Sequence, residues 1–583
     1  MDVSIDIMRK TIEELCKFEN RIAGTKVEHA AADYLNKRFA EFGFDEVLQH
    51  KFPVISWDPQ EATLKIVSPI ERSIDCALFP YTTNAEERVR LVDMASDEVQ
   101  KTDKLPVYGL IEWGPVLYGA PTVAYNKALE KGLDGLIISS PAEGDMLKVL
   151  IVDRCGDLQI PVFNVTKEEG ASLKKMLKDS EVILDIKAVA EKGQSESFNL
   201  EALIHGSDED YDIVIGAHYD AWFFGAADNA APVAIVLEVA RLLKKHVDDG
   251  GTLKRTVRFL LFGAEESGSE GFYFLVNGSR VYVESQESLE KLGLVVSLDS
   301  VGYQAPNYVV TTHELSGYAK SIIRTRNQED RFMHWAPPGY GSDHWFFTKG
   351  GVPTIYLISW PSDFYHTQKD TPEVLDYDSV HAYAEYAVNA VINFSNADVL
   401  PFDVMNQLEK ISERIKEFMP IEVPTNSLQP VLEVLNNILK RTSNLKKFKG
   451  EVAKSGNRKR ISRLNGFLRK TSGTINKTLG LLLPVEGESP AKHLSFLESL
   501  SEYVALNSAV AALEKLPIIR ISPRTRNRFK SFDDTPMQWA EVERAIDDLR
   551  KEREKLVDRI RKEIVSTLDI MTGILKDLEA LLR

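Results

Sequence analysis

The chain opens with apolar residues spaced three and four apart. Ile12, Leu15, Ala31, Leu35 and Phe39 predict one long helix or two short ones over residues 4–43. Gly24-Thr25 marks a break and Gly43 suits a C-terminal stop. Short strands are expected over Val47–Val54, with Trp57-Asp58-Pro59 as a turn. Strand-like runs (Thr63–Val67, Val107–Glu112, Gly135–Ile138, Val162–Val165) then alternate with helical ones (Ala124–Lys131, Lys167–Lys178). The polar stretch Lys187–Ser197 reads as a return linker.

Alternation resumes from 199 to about 395. Tyr211–Gly216, Thr256–Phe262, Leu294–Leu298 and Thr354–Leu357 are short apolar runs, as suits central strands covered on both faces. Ala231–His246 and Val380–Phe394 are the clearest helices. Beyond about 400 the strand signal disappears. Helices are expected near 402–418, 427–448, 491–515 and 536–582. In the last, Ile560, Ile564, Leu568, Met571, Leu575, Leu578 and Leu582 form an apolar seam. It suits either packing within a bundle or a subunit interface. The expected organisation is an α/β domain in two parts, 1–58 and 193–398. An α/β module at 59–192 interrupts it, and a helical domain, 399–583, follows.

Composition adds constraints. The 71 basic and 87 acidic residues leave a net charge of −16, which disfavours nucleic acid as a partner. The basic segments Lys446–Lys470 and Arg520–Lys530 read as solvated helix faces. Cys16, Cys76 and Cys155 are odd in number and far apart, so neither a disulfide framework nor a cysteine-rich zinc site is expected. A reducing, cytoplasmic setting fits. The first twenty residues lack the apolar core of a signal peptide, and no apolar run is long enough for a transmembrane helix. No membrane partner is expected.

Four segments carry chemistry, each at or just after an apolar strand, where ligands gather in open α/β sheets. In IVIGAHYDAWFFGAADNA, His218-Tyr219-Asp220 ends a strand and Asp228 follows. An imidazole can bind zinc and a nearby carboxylate can fix its tautomer, although alone the pattern better describes a structural histidine. VRFLLFGAEESGSEG runs a strand into Glu265-Glu266. Paired carboxylates at a buried strand end need a cation or shared proton, whereas an exposed acidic loop needs neither. Asp299 ends a Leu- and Val-rich strand, as a ligand or as a cap. His366 follows Tyr365 in a loop after the last strand and alone reads as a surface residue. Together, His218, Asp228, Glu266, Asp299 and His366 could hold two metal ions if one carboxylate bridges. Glu265 is left beside a ligand as a general base.

The ordered set His-x-Asp, Asp, Glu-Glu, Asp and Tyr-His resembles the co-catalytic di-zinc aminopeptidases, including the bacterial leucyl aminopeptidases and the glutamate carboxypeptidase II and transferrin-receptor branch. Arg21–Thr25 and Ala31–Leu35 are similar to that family's start, and His218–Gly225 to its carboxypeptidase branch. The resemblance implies a mixed-sheet zinc-exopeptidase fold. It also implies an inserted protease-associated domain, and a C-terminal all-helical domain through which the chain forms a homodimer. It places His218 and Asp299 on one zinc, Glu266 and His366 on the other, and Asp228 between them. Cobalt and manganese can occupy similar sites. Asp220 would support His218, and Glu265 would relay a proton from the attacking water to the leaving amine. Tyr365 would donate a hydrogen bond to the oxyanion. A cis peptide is implied at Asp228-Asn229.

The stretch Met333–Asp343 departs from the carboxypeptidase pattern, for it lacks that enzyme's arginine pair, and Arg331 is the nearest arginine. Trp222, Phe223, Phe224, Trp335, Trp345, Phe346 and Trp360 supply aromatic surface for the core or for an apolar pocket. The expected activity is an aminopeptidase acting on peptides. A carboxypeptidase or dipeptidase is the alternative, and a receptor or scaffold without metals a third. No G-x-S-x-G, H-E-x-x-H or Gly-Lys dipeptide occurs, which argues against serine hydrolases, single-zinc proteases and P-loops.

Overall fold

The computed structural model describes residues 1–95, 105–114, 120–152, 158–208, 210–268, 276–339, 341–418, 428–478, 496–515 and 539–583. Helices α1 (Ile5–Leu15) and α2 (Lys26–Glu41) open the chain, capped by Ser4 and Thr25, whose side chains accept from Ile7 and Glu28 amides. The two-helix alternative is therefore the one adopted. Strand β1 (Leu48–Ser68) follows, then β2 (Arg72–Ile74), β3 (Cys76–Leu78), β4 (Ala85–Asp93) and β5 (Val107–Glu112). Next come α3 (Ala120–Glu130), β6 (Gly135–Ser139), β7 (Val162–Val165), α4 (Lys167–Asp179) and β8 (Val182–Ile204).

Two expectations fail here. Trp57-Asp58-Pro59 is not a turn, because β1 runs through it, with Trp57 opposite Lys192 and Pro59 opposite Ala190. Away from Leu64–Ile66, where it meets β2, β1 is an edge strand. A proline is tolerated there, and the register slips between Pro59 and Glu61. Lys187–Ser197 is not a linker either. It lies inside the 23-residue β8, and its polarity reflects the exposure of residues 191–194 on a two-stranded ribbon.

The second half supplies β9 (Asp212–His218), α5 (Ala231–Asp248), β10 (Val257–Phe262), α6 (Asn277–Ser285), β11 (Leu292–Leu298), β12 (Asn307–Thr311) and α7 (Ser316–Thr325). It continues with β13 (Phe332–Trp335), α8 (His344–Lys349), β14 (Thr354–Ser359) and α9 (Tyr377–Asn396). The strands join one mixed sheet in the order β13-β12-β14-β11-β9-β10-β8-β4-β5-β6-β7-β3. β9 is parallel to β10 and β11, and β11 to β14. These four therefore point their carboxyl ends to one edge. β11 is buried along its whole length and β9 nearly so, which explains their unbroken apolar character.

The ribbon of β1 and β8 ties the two halves of the sheet together. The first half of β8 pairs with β4 and its last residues with β10. The segment between the two ends of the ribbon has apolar clusters of its own, around Leu64, Leu184 and Phe163 on one side and Phe79, Tyr125 and Leu136 on the other.

Helices α10 (Val404–Phe418), α11 (Gln429–Thr442), α12 (Leu445–Ser455), α13 (Arg458–Thr478), α14 (Phe496–Lys515) and α15 (Trp539–Leu582) complete the fold. The helix expected over 427–448 divides into α11 and α12. The apolar seam of α15 packs inward, with Ile560, Met571 and Leu578 buried in the same cluster that includes α5 and α9. Among the described residues no helix is long and apolar enough to cross a membrane. Cys155 and the Arg520–Lys530 segment lie outside the described residues.

Most basic residues of Lys446–Lys470 are exposed, as solvated helix faces require, and Arg469 of α13 is the buried exception. Leu464, Leu468 and Arg469 are buried on the inner face of that helix. The Arg469 guanidinium donates to the carbonyls of Leu292 (2.7 Å), Gly351 (2.9 Å) and Leu289 (2.9 Å), so one side chain docks the helices onto the sheet domain. Gly351 and Gly473 meet backbone to backbone there, where a Cβ on Gly351 would approach the Gly473 carbonyl oxygen to 2.6 Å. Arg469→Met is expected to cost roughly 2–4 kcal/mol by stranding those carbonyls, read as a lowered denaturant midpoint. An unchanged midpoint would rule out this anchoring role.

Candidate active site

His218 is the last residue of β9, and Asp299 follows β11 directly. Glu265 and Glu266 stand three and four residues beyond β10, and His366 lies in the loop after β14. Asp228 sits in the tight turn Ala226–Ala230 ahead of α5, and its peptide bond to Asn229 is cis, as the resemblance implies. Gly225 enters this turn with φ +54°, and a Cβ there would lie 2.4 Å from both the Ala221 Cβ and the Asp228 carbonyl oxygen. Phe223, Ala264, Ser300 and His366 also have φ between 52° and 58°, a concentration of left-handed non-glycine backbone around one point.

The structure brings all the expected residues together. Nε2 of His218 lies 3.3 Å from Asp228 Oδ1 and 3.5 Å from Asp299 Oδ1. Nε2 of His366 lies 3.2 Å from Asp228 Oδ2 and 2.8 Å from Glu266 Oε1. The two oxygens of Asp228 therefore face different histidines. Ligand atoms of His218, Asp228 and Glu266 all lie within 4.8 Å of one another, as do those of His218, Glu265 and Asp299. Tyr365 stacks on His366 with ring centroids 3.7 Å apart and meets Trp360 edge-on at 4.9 Å.

A shell of hydrogen bonds fixes these groups. The Asp220 carboxylate accepts the amides of Glu265 (3.0 Å) and Glu266 (2.9 Å), while its other contact, to His218 Nδ1, is longer at 3.5 Å. His218 Nδ1 also meets the Asp220 backbone carbonyl at 3.1 Å, so Asp220 holds the glutamate pair with its carboxylate and the histidine with its main chain. Trp222 Nε1 donates to Glu266 Oε2 (3.1 Å), so this tryptophan serves the site rather than an open pocket. Trp345 is fully buried, and Trp335 is exposed.

Several partners escaped the sequence reading. Asp370 accepts the amides of Ala227 (2.9 Å) and Asp228 (3.1 Å) and a hydrogen bond from Tyr303 (3.2 Å). It lies four residues after His366, where an aspartate looks like any turn former. The Asn229 side chain accepts the Ser300 amide (3.1 Å), joining the Asp228 turn to the end of β11. Arg21, fully buried, donates to carbonyls of Leu15, Phe18, Tyr219, Phe224 and Gly225 and so holds the His218–Gly225 loop. His366 Nδ1 contacts the Val149 carbonyl (3.2 Å), a backbone partner that no side-chain pattern reveals.

The electrostatics call for a cation. Burial lowers both histidines, yet neighbouring carboxylates outweigh it: Glu265, Asp220, Asp228 and Asp299 raise His218, and Glu266 and Asp228 raise His366 to about 9. Burial pushes Glu266 and Asp343 up to about 7 each and raises Glu265 well above the carboxylate range. Burial also opposes ionisation of Asp228, but the two histidines win and hold it below that range. Asp228 Oδ1 is buried with no hydrogen-bond partner, since its approach to His218 is misaligned. Two imidazole nitrogens, an orphaned carboxylate oxygen and an excess of buried acid fit divalent zinc, which favours mixed nitrogen and oxygen donors.

Residues 199–391 match peptidase family M28. All five candidate ligands and Glu265 fall inside this M28 segment. The chain is 26% identical over 273 residues to aminopeptidase YwaD of Bacillus subtilis, covering 44% of this chain and 56% of that protein. It is 27% identical over 263 residues to a glutamate carboxypeptidase 2 homolog of Caenorhabditis elegans, covering 38% of this chain and 33% of that one. The chain thus spans about a third to just over half of the length of these two curated relatives. BSAP, a zinc aminopeptidase from Bacillus subtilis, superposes with a TM-score of 0.54 at 22% identity, over 67% of this chain and 95% of that one. A peptidase M28 precursor from Shewanella amazonensis gives 0.55 at 21%, over 68% and 98%. The fold around the M28 segment is that of the zinc peptidases.

Proposed function

We propose that the chain is a zinc-dependent aminopeptidase. The observation that carries this reading is the placement of Asp228, with one oxygen toward each histidine and Glu265 alongside. Two zinc ions would be held there, one by His218 and Asp299, the other by His366 and Glu266, with Asp228 shared. Zinc so bound polarises the scissile carbonyl and acidifies a water. Glu265, buried and raised, accepts a proton from the attacking water and returns it to the leaving amine. Tyr365 donates a hydrogen bond to the oxygen that gains charge in the tetrahedral state. Asp220 and Asp370 hold the backbone of the glutamate pair and of the Asp228 turn, so that these groups meet the substrate preorganised.

The buried carboxylates Asp220, Asp228, Glu265, Glu266, Asp299, Asp343 and Asp370 would outnumber the charges of two divalent ions. This supports an aminopeptidase, because a free N-terminal ammonium is the substrate group that the remaining acid attracts. The arginines that could read a carboxylate instead are engaged elsewhere. Arg21 serves backbone carbonyls, and Arg331 donates to the Asp378 carbonyl. The test is hydrolysis of leucyl peptides with free and acetylated N-termini, by zinc-loaded and chelator-treated protein. Metal-dependent cleavage of the free peptide alone is expected. Release of the C-terminal residue from the acetylated peptide would move the assignment to a carboxypeptidase.

A further inference from the structure

The segment between the two long ribbon strands contributes a lysine to the edge of the metal centre. Residues 144–149 lie against the loop that carries His366. Lys148 forms a β-bridge with Thr367, and the Val149 amide donates to the His366 carbonyl (3.1 Å). The Leu147 amide donates to Gln368 Oε1 (2.8 Å), and Gln368 Nε2 donates to the Asp145 carbonyl (3.0 Å). The Lys148 amide is tied to Asn164 Oδ1 (2.7 Å), and Asn164 in turn donates to the Ile138 carbonyl (2.9 Å). The backbone of Lys148 is therefore pinned to both β7 and the histidine loop.

Its side chain is only 3% exposed, and its ammonium sits 5.4 Å from the centroid of the Tyr365 ring. Tyr365 is the residue stacked on His366. Burial pulls the lysine down to about 8, with Asp363 and Asp228 opposing only at longer range. Among the described residues it makes no ion pair. A desolvated ammonium without a paired acid is costly, unlike the exposed lysines on helix surfaces that pair three or four residues away. A fixed backbone, a buried charge and a position over the tyrosine of the site together describe a receptor for an anion that arrives with the substrate.

We propose that Lys148 is a specificity-determining residue that holds a carboxylate of the substrate. This rests on the aminopeptidase reading and narrows it to short or acidic peptides. The carboxylate is either the free C-terminus of a dipeptide or an acidic side chain next to the scissile bond.

The test compares Leu-Ala, its C-terminal amide and Leu-Asp-amide on the zinc-loaded wild type, Lys148→Met and Lys148→Arg. In the wild type, kcat/KM is expected to be roughly tenfold or more higher for whichever peptide carries the recognised carboxylate than for Leu-Ala-amide, chiefly through KM. Preference for Leu-Ala identifies the C-terminus, and preference for Leu-Asp-amide the side chain. Lys148→Met should collapse that ratio to about one while zinc content stays at the wild-type value, and Lys148→Arg should restore part of it. Wild-type indifference to both carboxylates would overturn the proposal. So would a Lys148→Met variant that slows all three peptides equally, which would place the lysine in support of Tyr365. Calorimetric binding of Leu-Ala, Leu-Asp-amide and Leu-Ala-amide to wild type and Lys148→Met separates this proposal from its parent. If nothing is cleaved, the aminopeptidase reading fails. A carboxylate preference in binding that Lys148→Met abolishes would still uphold the lysine's role, and equal affinities would end it.

Discussion

Glu265→Gln is expected to keep the fold and both metal ions while losing about two to four orders of magnitude in kcat. The substitution is isosteric and removes only the ability to accept a proton. The Glu265 carboxylate is buried beside the ligand atoms of His218 and Asp299, within 4.8 Å of them, yet Asp299 and His218 can hold a metal without it. Its backbone amide is fastened to Asp220, so the side chain keeps its place whether or not it is charged. The measurement pairs steady-state hydrolysis of a leucyl peptide with zinc content by mass spectrometry. Full turnover with normal metal content would remove Glu265 from the mechanism. A fall in metal content instead would make Glu265 a ligand, which its grouping with His218 and Asp299 makes a concrete competing outcome.

Asp228→Ala is expected to have the opposite signature. Its two oxygens face His218 at 3.3 Å and His366 at 3.2 Å, so one truncation removes a donor from both halves of the centre. Zinc content should fall below one ion per chain under conditions that saturate the wild type, and activity should fall with it. Zinc should also stop stabilising the protein. A ligand present at a hundred times its Kd adds about 2.7 kcal/mol to the folded state, and that increment should vanish from the thermal transition of the variant. Unchanged zinc stoichiometry in Asp228→Ala would refute the shared-ligand assignment. Asp370→Asn provides a graded comparison, since it leaves Asp228 in place and weakens only the carboxylate that receives the turn's two amides.

The first helices, the four central strands and the two long helices of the α/β domain were legible because burial on both faces imposes unbroken apolar runs and helical burial imposes its own period. The strands at Asn307–Thr311 and Phe332–Trp335 were not anticipated. Phe332–Trp335 is the edge strand and Asn307–Thr311 its inner neighbour, and the partial burial of both weakens the alternation. The ribbon was misread for the same reason. Lys187–Ser197 and Trp57-Asp58-Pro59 are polar or proline-bearing, and only their pairing with one another makes them strands.

The sequence by itself picked out the residues that meet at the candidate site. His218, Asp228, Glu265, Glu266, Asp299 and His366 are recognisable because metal-competent side chains at the ends of apolar strands are costly without a common purpose. Tertiary structure decided how they are held. Asp220 faces the glutamate amides, Asp370 the Asp228 turn, Arg21 five carbonyls of the end of α1 and the two loops beside it, and Val149 the far nitrogen of His366. These contacts join residues that are mostly distant in the chain, several through backbone atoms that every residue possesses. Hydrogen bonds of that kind leave almost no mark on residue type, so only the folded arrangement specifies them.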